Sequence, residues 1–398
     1  MSLDIISTVN ALAWMLFGAA ILAALAQRAG LPYAVALVLG GILVEETHLV
    51  ALPQLDPSVL LFGFLPPLLF DAAFRLDDRE LWAMLRPVLL LAVPGTIVTA
   101  VVVGLVLVLA LQVPLPIALL FGSIVSATDP VAVVSIFRGL NAPSRLSVIA
   151  EGESLINDGV AITLYTVALG LVTAGSMDAP AALGLFVRQV VVGVAVGLAM
   201  GWAFSRLTVT LDDHLVEMML STALAYGSYL AAQSIDASGA LACVAAGLVH
   251  GSYGRRIGMS EGTRRLLDDL WEYFGFLANA LVFLLVGFTA NLASLFANAA
   301  LVLTSICAVL LSRAMVVFGF PLIIPKQYRL TTPAERTVLV WGGLRGALTI
   351  TLALALPPDM PARQQLIAMA FGVVLFSLLV QGVTLSIVVQ RAGLARRA

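Results

Sequence analysis

Two short segments place carboxylates inside long apolar runs of the chain. Asp129 lies in SATDP at 126–130, and Asp158 lies in GESLINDG at 152–159, which also contains Glu153. On insertion scales, a carboxylate at the centre of a bilayer costs on the order of 2.5–3.5 kcal/mol. Charged groups retained at that cost commonly mark an ion or proton path, so we expect these segments to form one.

The spacing in the second segment predicts two polar faces on one helix. Ser154 and Asp158 are four residues apart and therefore share a face. Glu153 and Asn157 share another face, rotated from the first by about 100° because an α-helix has 3.6 residues per turn. One face thus carries a hydroxyl and a carboxylate, and the other carries a carboxylate and an amide.

The oxygen atoms of these segments suit a hard cation. Asp129 and the Thr128 carbonyl, which Pro130 is expected to free from helical bonding, could face Asp158 and Ser154. Zinc and copper sites prefer nitrogen or sulfur, and the three histidines lie at predicted span ends, so we expect no transition metal and no cofactor. Two neighbouring carboxylates in a low dielectric repel each other. Asp158 is therefore expected to hold a proton near neutral pH and to exchange it for the cation.

Other charged residues fall in or beside apolar segments. Arg313 needs an acidic partner there, and Glu153 is the best candidate, so we interpret this pair as structural. Arg345 is expected to offset helix-end carbonyl charge at a break in its own segment. Asp71 follows PPLLF at the inner end of its segment, and we interpret it as a residue of the ion's entry route.

The composition is that of a membrane protein with many spans. Of 398 residues, 61% are hydrophobic and 11% are charged, against about 25% charged in soluble domains. The net charge of −2 gives no basic field for nucleic acid. Long continuous apolar runs predict helices, since backbone groups in lipid must be bonded internally. We predict an all-α fold with about thirteen spans, at 5–27, 31–44, 56–74, 87–111, 114–137, 144–171, 182–206, 214–233, 237–250, 266–289, 295–324, 335–356 and 364–389.

The basic residues predict the orientation of these spans. With the N-terminus outside, the inward loops contain 17 of the 21 Lys and Arg residues, whereas outward ends contain only Arg188 and Arg363. Cytoplasmic loops carry such an excess, so we expect the C-terminus in the cytoplasm. The inward residues are Arg28, Arg75, Arg79, Arg86, Arg138, Arg145, Arg206, Arg255, Arg256, Arg264, Arg265, Lys326, Arg329, Arg336, Arg391, Arg396 and Arg397.

Two of the predicted spans are expected to be broken. Pro130 interrupts the fifth, because proline lacks a backbone donor and clashes with the preceding turn. Three glycines around Arg345 interrupt the twelfth. Paired breaks in corresponding halves point to a transporter site built on inverted repeats, here spans four to six and eleven to thirteen.

Three motifs together resemble the NhaP branch of the cation/proton antiporters, which includes the mammalian sodium/proton exchangers. They are SATDPVAV at 126–133, GESLINDG at 152–159 and GGLRGAL at 342–348, and the resemblance runs over nearly the whole chain. It implies an NhaA-like fold of about thirteen transmembrane helices with inverted repeats and two unwound crossing helices. It also implies a homodimer among membrane lipids in the inner (plasma) membrane. The implied activity is elevator-type exchange of Na⁺, Li⁺ or K⁺ for H⁺, with a part in pH homeostasis.

The resemblance also implies roles by position. Cation- and proton-binding residues would be Asp158, Asp129, Ser154, Thr128 and Asn157. Glu153 and Arg313 match the family's ion pair, and Asp71 stands where many relatives have Glu. The Asn-Asp sequence at 157–158 implies electroneutral one-for-one exchange.

The same resemblance implies two domains. Residues 1–86 and 182–293 would form a dimerisation scaffold in which the seventh span is a linker helix. Residues 87–171 and 294–390 would form the core that transports the ion.

Other interpretations stay open. Asp129 could cap the helix after Pro130, Ser154 could bond back to its own helix, Asp71 could be an interfacial charge, and Arg345 could be a loop anchor. A K⁺-preferring antiporter would use the same oxygen ligands. An intramembrane aspartyl protease also needs two membrane aspartates, but here the second follows Asn rather than Gly. An ion channel would need a multi-ion filter, which the motifs do not indicate, so we expect a transporter and not an enzyme.

Overall fold

In the computed structural model of the chain, the regular secondary structure of the described residues is entirely helical. These residues are 2–29, 33–47, 59–174, 179–211, 213–290, 292–323 and 332–395. The α-helices are α1 (Ser2–Ala29), α2 (Tyr33–Thr47), α3 (Leu65–Arg75), α4 (Asp78–Ala92), α5 (Pro94–Leu111), α6 (Leu115–Ile124), α7 (Val131–Gly139), α8 (Ser144–Ala174), α9 (Ala179–Thr208), α10 (His214–Gln233), α11 (Gly239–Val249), α12 (Arg255–Ile257), α13 (Glu261–Phe288), α14 (Leu292–Ala297), α15 (Ala299–Ile323), α16 (Pro333–Trp341), α17 (Ala347–Leu354), α18 (Arg363–Phe376) and α19 (Val383–Arg391). Among the described residues, three π-helical turns lead into α3, α12 and α19, at Val59–Phe64, His250–Gly254 and Ser377–Gly382.

Each predicted span overlaps at least one of these helices, but boundaries differ. The fourth span was predicted to begin at 87, whereas α4 begins at Asp78. The reason is a polar first turn: the Asp77 side chain accepts hydrogen bonds from the backbone N–H groups of Arg79 (2.8 Å) and Glu80 (3.2 Å). Some predicted positions lie outside the described residues, namely 31–32, 56–58, 324, Lys326, Arg329, Arg396 and Arg397.

Seven helical stretches among the described residues have the length and apolar composition of a membrane span. They are Asp78–Leu111, Ser144–Thr173, Pro180–Thr208, His214–Gln233, Glu261–Phe288, Ala299–Phe320 and Arg363–Arg391. Shorter apolar helices, among them Leu115–Ile124, accompany them. The number of thirteen crossings therefore stays a prediction.

The helices pack in two groups that meet along α8 and α13. In one group α8 contacts α4, α6 and α7, α5 contacts α6 and α15, and α18 contacts α15 and α17. In the other group α11 contacts α3, α9 and α10, and α13 contacts α2 and α3. Contacts of α8 with α11 and of α13 with α17 join the groups. The predicted boundary at residue 86 falls inside α4, which packs on α8, and the division into scaffold and core stays a prediction.

Close helix contacts and an apolar exterior both fit a lipid environment. An added Cβ at Gly41 of α2 would overlap backbone atoms of α13 around Gly287, so glycine lets these helices approach. Large apolar side chains are exposed on the outside, including Trp14, Leu109 and Phe296. Apolar surface of this kind is matched by lipid rather than by water.

Candidate ion-binding site

Two helix breaks form the centre of the candidate site. The first break, residues 125–130, separates α6 from α7, and the second break, residues 342–346, separates α16 from α17. They touch each other, because the backbone N–H of Asp129 donates a hydrogen bond to the Leu344 carbonyl (2.9 Å). Irregular backbone groups of one break thus satisfy those of the other, as buried backbone requires.

Side chains of α8 hold the first break at Thr128. Asn157 donates from Nδ2 to Thr128 Oγ1 (2.7 Å) and accepts at Oδ1 from the Thr128 backbone N–H (3.3 Å). Ser154 Oγ donates a hydrogen bond to the Thr128 carbonyl. The Thr128 carbonyl thus accepts from a side chain and not from a backbone N–H of the described residues, in agreement with the prediction that it is free from helical bonding. A carbonyl oxygen has a second lone pair for a cation. The alternative in which Ser154 bonds back to its own helix is wrong.

Asp129 is half-buried where the two breaks meet. Its Oδ1 accepts a hydrogen bond from the Val131 backbone N–H (2.9 Å), so the carboxylate caps the start of α7. An added Cβ at Gly346 would overlap the same carboxylate. The absence of a side chain at Gly346 therefore allows the second break to approach Asp129.

Asp158 lies one turn after Ser154 on α8 and is half-buried. Within the described part of the chain, its carboxylate has no hydrogen bond or ion pair. It faces a cavity of about 760 Å³ that is also lined by Asp129, Thr128 and Ser154. The structure therefore brings the predicted oxygen ligands together around one cavity, while their binding roles stay predictions.

Glu153 and Arg313 form a buried ion pair behind this cavity. Their exposed fractions are 2% and 6%, and both guanidinium Nη atoms of Arg313 bond the two oxygens of Glu153. Arg313 Nε also donates to the Leu339 carbonyl of α16 (3.2 Å). An added Cβ at Gly343 would crowd the Arg313 side chain. The pair thus ties α8, α15 and α16 together.

Arg345 corrects one expectation. It was predicted to offset carbonyl charge at its own break, but Nη1 donates to the carbonyls of Ser126 (2.7 Å) and Ala127 (2.6 Å) in the first break. Those carbonyls follow the C-terminal, negative end of α6, and Arg345 is only 1% exposed. Because the two breaks are in contact, the guanidinium of Arg345 in the second break offsets the negative carbonyl charge of the first break.

Asp71 lies on α3 at the wall of the cavity. Its Oδ1 is 3.2 Å from Arg75 Nε, and Arg75 Nη1 also bonds Glu272 (2.8 Å). An added Cβ at Gly275 of α13 would overlap the Asp71 carboxylate. Asp71 is thus paired with an arginine beside the cavity, and its role in the entry route stays a prediction.

Sequence reasoning missed some polar residues of this region. Glu335 is fully buried, forms a capping box with Thr332 and bonds Arg145 of α8 (Nε to Oε1, 2.7 Å). The Thr-x-x-Glu spacing at 332–335 is a readable signal for that box. Thr349 also lines the cavity, within an apolar segment that contains nothing to distinguish it.

Comparisons with known proteins agree with the motifs. The family model "Sodium/hydrogen exchanger, transmembrane" matches residues 15–391. The Na⁺/H⁺ antiporter ApNhaP of Aphanothece halophytica is 41% identical over 368 residues, which cover 92% of this chain and 70% of that protein. The Na⁺/H⁺ antiporter NhaH of Halobacillus aidingensis is 37% identical, covering 92% and 93%.

A solved structure shares the fold. The sodium proton antiporter MjNhaP1 from Methanocaldococcus jannaschii, at pH 8, superposes with a TM-score of 0.83 over 98% of this chain and 99% of that one, at 19% identity. The family resemblance read from the three motifs is thereby confirmed, and the chain is a multi-pass membrane protein. With the family model spanning residues 15–391 and close relatives covering nine-tenths of its length, this chain belongs to the sodium/hydrogen exchanger family.

Proposed function

We propose that this chain is a secondary antiporter that exchanges Na⁺ for H⁺ across a bacterial plasma membrane. The names of its relatives support this activity. The observation that carries the proposal is the charge around the cavity. Asp129 and Asp158 face one cavity, and neither carboxylate has an ion pair within the described residues.

The buried arginines close to this site are engaged elsewhere. Arg313 is paired with Glu153, and Arg345 bonds the carbonyls of the first break. Two carboxylates in a low dielectric then need a mobile cation to offset their charge, since like charges at short range repel strongly there. Either a proton or a small metal cation meets that need.

In the proposed cycle, Asp158 alternately carries a proton or shares a dehydrated cation with Asp129, Ser154 and the Thr128 carbonyl. Oxygen ligands of this kind suit Na⁺ or Li⁺, which are hard cations. Either occupant lowers the charge of the core enough for it to cross the membrane, whereas the empty, doubly charged site crosses poorly. Because the occupants exclude each other, each cycle moves one cation against one proton. The neutral Asn157, which is committed to Thr128, adds no further charge.

The conformational part of the proposal is an elevator movement of a core built from 87–171 and 294–390 against a scaffold in a homodimer. The fold similarity to MjNhaP1 supports a core with inverted repeats and two broken, crossing helices. The cavity lining includes Arg75, Arg138 and Arg255, which the positive-inside pattern assigns to the cytoplasm. The cavity described here would then open inward, with the N-terminus outside.

The test is exchange in proteoliposomes that compares Na⁺, Li⁺ and K⁺ at several pH values. We expect Asp158→Asn to abolish cation-driven proton movement while leaving a folded protein. Asp213→Asn is the matched control: it makes the same chemical change at an exposed helix cap that bonds the N–H groups of Leu215 and Val216, where Asn caps equally well.

Each other result has a defined meaning. Full exchange by Asp158→Asn would overturn the role of that carboxylate. A preference of the wild type for K⁺ would favour the K⁺-specific alternative. Single-channel currents or peptide cleavage, without exchange, would replace the antiporter by a channel or a protease.

A further inference from the structure

Thr349 is the exception among the serine and threonine residues that line the cavity. Thr349 is 1% exposed, and its Oγ1 has no hydrogen-bond partner among the residues that the structure describes. Buried polar groups are nearly always bonded, because an unbonded one loses its hydration without compensation. The other serine and threonine hydroxyls of the cavity lining have protein partners, namely those of Thr128, Ser135, Ser154 and Thr351.

Thr349 lies in the first turn of α17, next to the carboxylates. Gly346 is the residue directly before this helix, and an added Cβ there would overlap the Asp129 carboxylate. The start of α17 therefore lies against Asp129. Thr349 lines the same cavity as Asp129 and Asp158.

We propose that Thr349 Oγ1 is a further ligand of the transported cation, contributed by α17 opposite the ligands from α8. A hydroxyl has one donor and two lone pairs. Its oxygen can therefore bind a cation through a lone pair. An uncharged oxygen adds affinity for the ion without adding charge to the core. The assignment rests on the proposed Na⁺/H⁺ exchange.

Thr349→Val tests the assignment, because valine keeps the shape of threonine and removes the hydroxyl. We expect the apparent KM for Na⁺ in proteoliposomes to rise roughly three- to tenfold, the effect of losing one hydrogen-bonding-type contact. The maximal rate at saturating Na⁺ should stay near that of the wild type. Thr349→Ser, which keeps the hydroxyl, should restore the KM.

Thr351→Val is the matched control on the same helix. Thr351 is also buried and lines the cavity, but its hydroxyl donates to the Ala347 carbonyl (3.0 Å). Its KM should remain near that of the wild type. Thermal stabilisation of the detergent-solubilised protein by NaCl provides a second readout, which should need higher Na⁺ for Thr349→Val. If the valine variant does not fold, Thr349→Ala is measured in the same way.

An unchanged KM and unchanged Na⁺ stabilisation in the variants that lack the Thr349 hydroxyl would overturn this assignment, as would equal effects of Thr351→Val. Wild-type exchange of Na⁺ for H⁺ in the same vesicles would leave the proposed function intact in that case. If the wild type itself carries no Na⁺, the proposed function fails first, so the two failures are distinguishable.

Discussion

Glu153 and Asp158 lie on adjacent faces of one helix, α8, and each belongs to a pair of charged groups. The two pairs differ in almost every physical respect. Glu153 is buried and bonded through both oxygens to Arg313. Asp158, five residues further on, is half-buried, faces a cavity with Asp129 and has no ion pair among the described residues. One pair is complete within the protein, and the other needs a partner from outside it.

This difference distinguishes a structural carboxylate, Glu153, from a functional one, Asp158, in a segment whose sequence shows a single acidic cluster. A buried carboxylate with a fixed arginine cannot exchange its partner, because breaking the pair leaves an uncompensated charge. A carboxylate that faces a cavity can accept a proton or a cation in turn. We therefore expect changes to the first pair to act on stability, and changes around the second to act on transport.

The largest effect on stability is expected from Arg313→Leu. It leaves Glu153 buried without its partner, which typically costs about 3–5 kcal/mol. The unfolding temperature in detergent should fall markedly. Adding Glu153→Leu should restore much of that temperature, because it removes the unpaired buried charge. Asp158→Asn should unfold near the wild-type temperature. An equal loss in that variant would mean that both pairs are structural, and the comparison would fail.

A smaller loss of stability is expected from Arg345→Met, which keeps the length of the side chain and removes its hydrogen-bond donors. The carbonyls of Ser126 and Ala127 would lose their charged donor, and bonds to charged groups contribute roughly 1.5–3 kcal/mol. Because these carbonyls precede Thr128 and Asp129, transport should fall together with the unfolding temperature. A stable variant with wild-type exchange would show that Arg345 does not support the first break.

Gly346→Ala changes the second break next to Asp129 and is expected to affect transport more than stability. Its methyl group would overlap the Asp129 carboxylate and force it to move, and overpacking of this kind costs about 1–3 kcal/mol. We expect a reduced exchange rate with a raised KM for Na⁺, measured in proteoliposomes. Gly139→Ala is the control, because an added Cβ there meets nothing within 4 Å. If the two variants transported Na⁺ equally well, the close contact between Gly346 and Asp129 would have no role in transport.

The sequence predicts most of the elements of the site, for physical reasons. Arg313 and Glu153 could be paired in advance because an unpartnered charge in an apolar run is costly. The break at Pro130 follows from the missing donor of proline. The capping box of Glu335 was also readable, from its spacing to Thr332.

Contacts between distant segments could not be predicted in the same way. That the carbonyls of the first break are bonded by Arg345 depends on how the two breaks meet, which no local pattern encodes. The bond from Ser154 to the Thr128 carbonyl has the same origin. The polar first turn of α4 was not predicted, because an apolar run marks the part of a helix that lies in lipid and not the residue at which the helix begins.

The smallest effect is expected from Glu151→Gln, a change at a third carboxylate of α8. Glu151 pairs with Arg138 (2.9 Å), but the two side chains are 27% and 67% exposed. Exposed pairs contribute about 0–1 kcal/mol, so unfolding and exchange should both remain close to wild type. Glu153→Gln, the same change two residues away, should unfold at a clearly lower temperature. If Glu151→Gln instead slows exchange with no loss of stability, the charge at the cavity wall takes part in the ion's path. The functional face of α8 would then extend beyond Ser154 and Asp158.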